Sequence, residues 1–308
     1  MTKEDEVFKV REILKRRLAL SSRLMRKLKD RGGVTVNGAG VKLNSKLKAG
    51  GLLAVRFPEE ISGFEPEPIP ISVIYEDDDL LIIDKQAGFV VHPTKGHPAH
   101  TVANGVMHHM LERGEAYRIR FINRLDMDTT GVLLVGKNSY SQHSFARQAA
   151  RNAGKDSVNA EGDVEGNESA VEKKYLAVVN GAITEEEGAV NLPIGKEDED
   201  RVKRAVLAGG HPATTRYRVL ERFSGAYTLL ELVIETGRTH QIRVHMAHIG
   251  HSVVGDALYG RSSPKLIERQ ALHAASLSFP HPRTGKTMKA EAPLPEDIER
   301  LLQRLRSH

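Results

Sequence analysis

Apolar positions along the 308-residue chain change period several times, and each change marks a different kind of element. Between Phe8 and Arg31, the residues Val10, Ile13, Leu14, Leu18, Leu24 and Leu28 recur at roughly helical spacing among many lysines and arginines. That pattern predicts a basic helical segment with one buried face. Val34-Thr35-Val36 then alternates and runs into Asn37-Gly38, the dipeptide that favours a two-residue hairpin because both residues tolerate positive φ. Val41 onward and Leu52-Leu53-Ala54-Val55 predict further short strands, which makes residues 1–57 a small domain of their own. Residues 58–71, rich in Pro and Glu, lack apolar periodicity and read as a linker.

The second domain, 72–308, is strand-rich. Val73-Ile74-Tyr75-Glu76 and Leu80 to Lys85 flank an acidic turn at Asp77-Asp78-Asp79. Val132-Leu133-Leu134-Val135 reads as a short buried strand, with Thr129-Thr130-Gly131 as a turn before it. Lys173 to Asn180, Ala213 to Leu220 and Tyr227 to Ile234 read as further strands. Helical runs are expected from Thr101 to Leu111, Ser139 to Arg151 and Arg238 to Ile249. Gly250 caps the last, and Ile242, Met246 and Ile249 form its buried stripe. Residues 152–170 hold Gly, Asn, Ser, Asp and Glu with almost no large apolar side chain, and read as a flexible acidic insertion. The fold class is α+β.

Composition narrows the chemistry. With 40% hydrophobic residues the chain can bury full cores, and a net charge of +5 suits a polyanionic partner. There are no cysteines, so disulfides, thiolate catalysis and cysteine-based zinc sites are excluded. No apolar run of about twenty residues and no export signal is evident, so no membrane contact is expected, and a cytoplasmic location is. Asp77, Asp78 and Asp79 lack the glycine and later carboxylate of a calcium loop. His92, His97, His100, His108 and His109 match no zinc spacing. No metal or other cofactor is expected.

The stretch Asn123-Arg124-Leu125-Asp126-Met127-Asp128-Thr129-Thr130-Gly131-Val132 resembles the active-site signature R-L-D-x-x-T-S-G-[LIV] of RNA pseudouridine synthases of the large-subunit ribosomal RNA (RluA-like) family. Asn123 stands where His is common, and Thr130 where Ser is common. Ala87-Gly88-Phe89-Val90-Val91-His92-Pro93 is similar to the family's K-P-A-G segment, with Gln86 replacing Pro. Lys173-Lys174-Tyr175-Leu176-Ala177 is similar to K-x-Y-x-A, and Thr236-Gly237-Arg238-Thr239-His240-Gln241-Ile242-Arg243-Val244-His245 to T-G-R-T-H-Q-[IL]-R-x-H. Val254 to Gly260 and Leu272-His273-Ala274 continue the match. Residues 1–57 are similar to an S4 RNA-binding domain, carried by Ser22-Arg23, Lys27-Leu28 and Gly32 to Gly38, with Gly51 where Asp is frequent.

The resemblance implies a small S4-like α/β RNA-binding domain followed by a catalytic domain on a mixed, largely antiparallel sheet with flanking helices. It implies isomerisation of uridine in structured RNA. Large-subunit ribosomal RNA is the expected partner, transfer RNA the alternative, and the enzyme is expected to be a monomer. The catalytic aspartate maps onto Asp126. Arg243 is the candidate ion-pair partner that orients it, with Arg238 the alternative. Tyr175 would stack on the base, and Arg124 would fill the gap left by a flipped nucleotide. Arg238, His240 and Arg243 lie at the start of the helix, where backbone N–H groups also favour anions. Arg23, Lys27, Lys29 and Arg31 would contact phosphates. Two rival classes are weighed: a non-catalytic RNA-binding protein, and a glycoside hydrolase using Asp126 and Asp128. The second fits poorly, because such carboxyls flank a bond about 5–10 Å apart, whereas residues two apart on a strand point the same way.

Overall fold

The computed structural model describes residues 1–308 except 19, 21, 31, 58–59, 153–170, 198–202, 261–264 and 308. Arg31, the side chain of Arg23 and nearly all of the acidic stretch 152–170 therefore lie outside the described residues. No described helix is long and apolar enough to cross a membrane.

In the first 57 residues the helical spacing resolves into two helices rather than one, α1 (Val10–Leu18) and α2 (Ser22–Asp30). The Leu20 N–H bonds the Leu14 carbonyl at 3.3 Å, which turns the chain between them. Strands β1 (Val34–Val36), β2 (Ala39–Gly40) and β3 (Leu53–Val55) form an antiparallel sheet in the order β2-β1-β3. Asn37 (φ 49°) and Gly38 (φ 82°) both occupy the left-handed region, as a primed hairpin turn requires. Val10, Leu14, Leu20, Leu24, Leu28 and Val34 close a small core, against which Tyr140 of the second unit also packs.

Residues 60–71 run in irregular chain along the second unit. Phe64 and Ile71 pack on its main core, and the Glu67 N–H bonds the Asn104 carbonyl at 3.1 Å. Glu60 accepts from Lys27 of α2 at 2.8 Å and also from Arg120. The stretch read as a linker is thus a strap, because Phe64 and Ile71 find cover on the neighbouring unit.

The second unit is built on a ten-stranded sheet. Its strands are β4 (Ser72–Glu76), β5 (Leu80–Lys85), β6 (Arg120–Phe121), β7 (Thr130–Gly136), β8 (Glu172–Asn180) and β9 (Glu187–Asn191). A separate hairpin, β10 (Ile194–Lys196) and β11 (Arg204–Val206), precedes β12 (Thr214–Phe223), β13 (Tyr227–Ile234), β14 (Leu272–Pro280) and β15 (Thr287–Glu291). The order is β4-β5-β7-β14-β8-β13-β12-β9, with β6 on β7 and β15 on β14. Among the described residues only β7 and β14 pair in parallel, so the sheet is mixed and largely antiparallel.

Helices α3 (Val102–Glu112), α4 (Ser139–Asn152), α5 (Gln241–His248) and α6 (Glu296–Arg306) flank it. Both faces are covered, which is why β5 reads as a continuous apolar run. Leu81 and Ile83 join a core with Val106 of α3 and Leu301 of α6. Leu80 and Ile82 join another with Phe145 of α4.

One turn moves. Thr129-Thr130-Gly131 is not a turn; the turn is Met127-Asp128, closed by the Thr129 N–H on the Asp126 carbonyl at 3.1 Å. Thr130 and Gly131 already belong to β7, paired with His273 and Ala274 of β14. Gly131 has φ +109°, and a Cβ there would sit 2.2 Å from the Ala274 carbonyl oxygen. Only glycine lets the two backbones approach so closely.

Candidate active site

The segment between β6 and β7 carries Asp126, and its backbone is pinned from three sides. Asn123 bridges to β7, donating to the Val132 carbonyl (2.9 Å) and accepting the Leu134 N–H (2.8 Å). Lys85, buried at the end of β5, donates to the carbonyls of Met127 (2.6 Å), Thr129 (2.9 Å) and Gln86 (2.9 Å). Arg269 donates to the Asp128 carbonyl at 2.9 Å. Burial pushes the Lys85 amine down to about 7, against the opposing charge of Asp128. With its main chain held, the Asp126 side chain reaches the solvent side, 23% exposed.

The partner of Asp126 comes from α5. Arg243 Nη1 lies 3.0 Å from Asp126 Oδ2, while Nε and Nη2 grip the two oxygens of Asp256 at 2.7 and 2.9 Å. Asp256 is fully buried and also accepts the N–H groups of Leu258 and Tyr259. Burial alone would raise the Asp256 carboxyl, but Arg243 and those N–H groups hold it below its ordinary value. Burial likewise disfavours the guanidinium charge, and Asp256 and then Asp126 raise it above its usual range.

Helix α5 is shorter than the apolar pattern predicts. His240 sits at its N-cap in the left-handed conformation (φ 57°), so Arg238 and His240 precede the helix rather than forming its first turn. Gln241 Oε1 accepts from the Arg238 N–H and the Thr236 hydroxyl, which fixes that entry. Ile249 is 36% exposed instead of completing a buried stripe, because Gln241 to Met246 are buried all round. The Tyr259 hydroxyl accepts the Arg204 N–H (2.7 Å) and meets His240 Nδ1 at 2.8 Å. On the other side of the ring, Nε2 lies 3.9 Å from Asp126 Oδ2. Burial lowers the His240 pKa despite the Asp126 charge, which favours the neutral ring.

These groups enclose a pocket of about 340 Å³. Asp126, Tyr175, Arg124, Arg238, His240 and Arg243 all line it, so the sequence-predicted site residues of the second unit converge. Tyr175 projects from β8, buried, and its hydroxyl has no hydrogen-bond partner among the described residues. Burial, then the nearby Asp126 charge, raises its pKa. Arg238 is exposed and donates to the Pro212 carbonyl at 3.1 Å, not to Asp126. Arg124 is exposed and donates to Thr239 Oγ1 at 3.2 Å; it makes no hydrogen bond or ion pair with Asp126, two residues along the same loop.

The pocket opens into a groove of about 1080 Å³ that also contains Asp126, Arg124 and His240. His92, clamped edge-on between Phe64 and Phe121 at 5.4 Å from each, lines the groove, as do Arg118 and Lys27 of α2. Lys29 is exposed on the same helix.

Metal ligation has one geometric candidate among the described residues, Asp77, Asp79 and His281, whose ligand atoms lie within 4.8 Å. Arg283 forks onto Asp79 at 2.6 and 2.8 Å and His281 bonds Asp77 at 2.9 Å, so these carboxylates are already engaged. The histidines from His92 to His109 do not converge; His100, His108 and His109 each face a different glutamate.

Four residues of this site carry no assignment from sequence: Lys85, Lys173, Asp256 and Tyr259. Asp256 had a legible signal, a lone acid among Val253, Val254, Ala257 and Leu258, which has to be paired if buried. Lys85 differs from a surface lysine only by the strand it ends, and Lys173 stood in the K-x-Y-x-A string without a role of its own.

The comparisons with known proteins agree. A family model of RNA pseudouridylate synthase matches residues 79–248. An uncharacterised RNA pseudouridine synthase of Bacillus subtilis (strain 168) is 41% identical over 281 residues, 90% of this chain and 87% of the relative. The ribosomal large subunit pseudouridine synthase D of Nitrosomonas europaea is 39% identical over 284 residues, 89% and 77% of the two chains. That of Pseudomonas aeruginosa is 38% identical over 299 residues, 92% and 87%. In fold, human RNA pseudouridylate synthase domain containing 1 superposes with a TM-score of 0.57 at 23% identity, over 81% of this chain and 98% of that one. The family model spans both the Asp126 segment and helix α5, and the chain belongs to the RNA pseudouridylate synthase family.

Proposed function

We propose that this enzyme converts uridines of large-subunit ribosomal RNA to pseudouridine, with Asp126 as the essential carboxylate. The observation that carries the reading is the chain Asp126–Arg243–Asp256, which fixes one carboxylate at the wall of a pocket of small-ligand size beside an unpartnered tyrosine. The relatives in Nitrosomonas europaea and Pseudomonas aeruginosa that are named for the large ribosomal subunit support the substrate class.

In the reaction the uracil is detached from C1′, turned, and rejoined through C5, so no water is consumed. Asp126, oriented by Arg243, acts on the sugar or the base as nucleophile or base. Tyr175 stacks on the flipped base, and Arg124 takes the vacated place in the helix. Arg238 and His240, at the pocket mouth, hold the flanking backbone. The S4-like first block, residues 1–57, binds phosphates through Arg23, Lys27, Lys29 and Arg31, and the linker 58–71 joins it to the catalytic domain. The groove shared by Lys27 and Asp126 supports a single RNA path from one block to the other. All of these groups belong to one chain, which suits a monomer acting on RNA in the cytoplasm.

The test is pseudouridine mapping in ribosomal and transfer RNA after incubation with wild type, Asp126→Asn and Asp126→Ala. Wild type is expected to modify ribosomal RNA and both variants to be inactive while still binding it. Substantial residual activity in the variants, or release of free uracil, would overturn the mechanism; modification of transfer RNA alone would overturn the substrate.

A further inference from the structure

Lys173 lies in the wall of the pocket, two residues before Tyr175 on β8, and strand periodicity puts both side chains on one face. Its amine stands beside the turn that leads into α5, where a Cβ built on Gly237 would lie 3.9 Å from Nζ. Its neighbour Lys174 points the other way and meets Glu172 and Glu231, each at 3.7 Å.

The basic side chains of the pocket differ in one respect. Arg243 is committed to Asp126 and Asp256, Arg238 to the Pro212 carbonyl, Arg124 to Thr239, and His240 to Tyr259. Lys173 alone has no acceptor or carboxylate among the described residues. Burial lowers its pKa, and no neighbouring charge offsets that. A largely desolvated ammonium without a partner is unfavourable in the empty site and becomes favourable when negative charge arrives beside it.

Pseudouridine formation supplies such a charge. When C1′–N1 breaks, the electron pair stays with the uracil, and the ring carries a negative charge spread over N1, O2 and O4. The exposed Arg124 and Arg238 sit nearer solvent, where phosphates run. Lys173 shares its face with the residue proposed to stack on the ring. Resting on the function proposed above, we infer that Lys173 donates a charged hydrogen bond to a carbonyl oxygen of the flipped uracil and stabilises the ring while it is detached. C5 then attacks C1′ and gives up its proton to a base, N1 takes one proton, and Lys173 keeps its own throughout. The net change is isomerisation alone.

The experiment compares full-length wild type, Lys173→Met and Lys173→Arg in single-turnover reactions on ribosomal RNA, with RNA affinity measured across salt concentrations. Lys173→Met is expected to slow the single-turnover step by about 100-fold or more, as loss of a charge-stabilising donor does, with affinity and salt slope unchanged. Lys173→Arg is expected to recover most of the rate and to hold it to higher pH than wild type, because a guanidinium stays protonated where a desolvated amine does not. An unchanged rate in Lys173→Met, or weaker binding with a salt slope reduced by about one, would overturn the proposal, the latter pointing to a phosphate contact. If Lys173→Met fails to fold, the alkaline limb decides: identical limbs in wild type and Lys173→Arg overturn it. A wild type that makes no pseudouridine would instead refute the function on which it rests.

Discussion

Arg243 holds Asp126 and Asp256 with a single guanidinium, Nη1 on the first at 3.0 Å and Nε and Nη2 on the second at 2.7 and 2.9 Å. A planar fork can serve two carboxylates on different edges; a point charge cannot. Arg243→Lys should therefore keep a positive charge and still misplace Asp126, and a displacement of about 1 Å is enough to lower kcat about 100-fold. Single-turnover rates at saturating RNA measure it. A variant with near wild-type kcat would mean that the charge of Arg243 matters and its geometry does not.

Asp256 is the buried end of the same chain. Asp256→Asn leaves Arg243 buried with one carboxylate fewer, and breaking such a pair is expected to remove about 3–5 kcal/mol of stability. The pH dependence has a fixed sign. The folded carboxyl titrates below the ordinary value of 3.8, so its stabilisation is complete above that value and is lost as pH falls through the folded one. Urea melts of wild type and Asp256→Asn should differ by a constant amount at pH 5 to 7 and converge below about pH 4. A gap that persists unchanged into acid would show that the loss is one of packing rather than charge.

Which parts of this arrangement could be read from sequence follows from how local their causes are. Leu80 to Ile83 and Val132 to Val135 announced buried strands because their apolar runs are continuous, and both faces of the sheet are indeed covered. Asp126, Tyr175 and Arg243 stood out through short strings that carry them, although they lie far apart in the chain. Thr130 and Gly131 misled: locally they are turn residues, and only pairing with His273 and Ala274, far along the chain, makes them strand. Residues 60–71 misled for the same reason, since Phe64 and Ile71 acquire a partner only when the second unit is folded. The start of α5 depended on a left-handed His240, which no spacing rule anticipates.

Lys85 tests whether the loop beneath Asp126 is held from below. Lys85→Met removes a donor to the carbonyls of Gln86, Met127 and Thr129 and also removes a buried charge, two effects that oppose each other in stability. The expected outcome is a modest change in melting temperature beside a fall in kcat of about 100-fold, with RNA affinity intact. A large loss of stability with a normal rate in the remaining folded enzyme would assign Lys85 to the fold alone.

Gly131→Ala probes the close approach of β7 and β14. The new Cβ would meet the Ala274 carbonyl oxygen at 2.2 Å, and φ +109° is strained for any L side chain. Backbone cannot yield as a flexible side chain can, so the substitution should remove more than about 3 kcal/mol. Chemical denaturation measures it, and a loss below about 1 kcal/mol would mean that the two strands separate freely.

The contribution of the first block is best tested by charge rather than by deletion. Removing residues 1–57 would uncover Tyr140, which stacks on Phe57 at 5.9 Å and packs on that block's core, and would free the Glu60 bridge between Lys27 and Arg120. A truncated chain would then report damage to the catalytic unit together with loss of RNA contacts. Lys29→Ala avoids this, because Lys29 is exposed and pairs with no described residue. If α2 lies on the RNA backbone, the substitution should weaken binding similarly for all substrate sequences and reduce the slope of log affinity against log salt by about 0.7–0.9. The single-turnover rate at saturating RNA should not move, since Lys29 is not among the residues lining the pocket of Asp126. Lys27→Ala should weaken binding by less than Lys29→Ala, because part of its charge is already neutralised by Glu60. An unchanged salt slope in both variants would place the RNA elsewhere, and α2 would then serve only to carry the core that covers Tyr140.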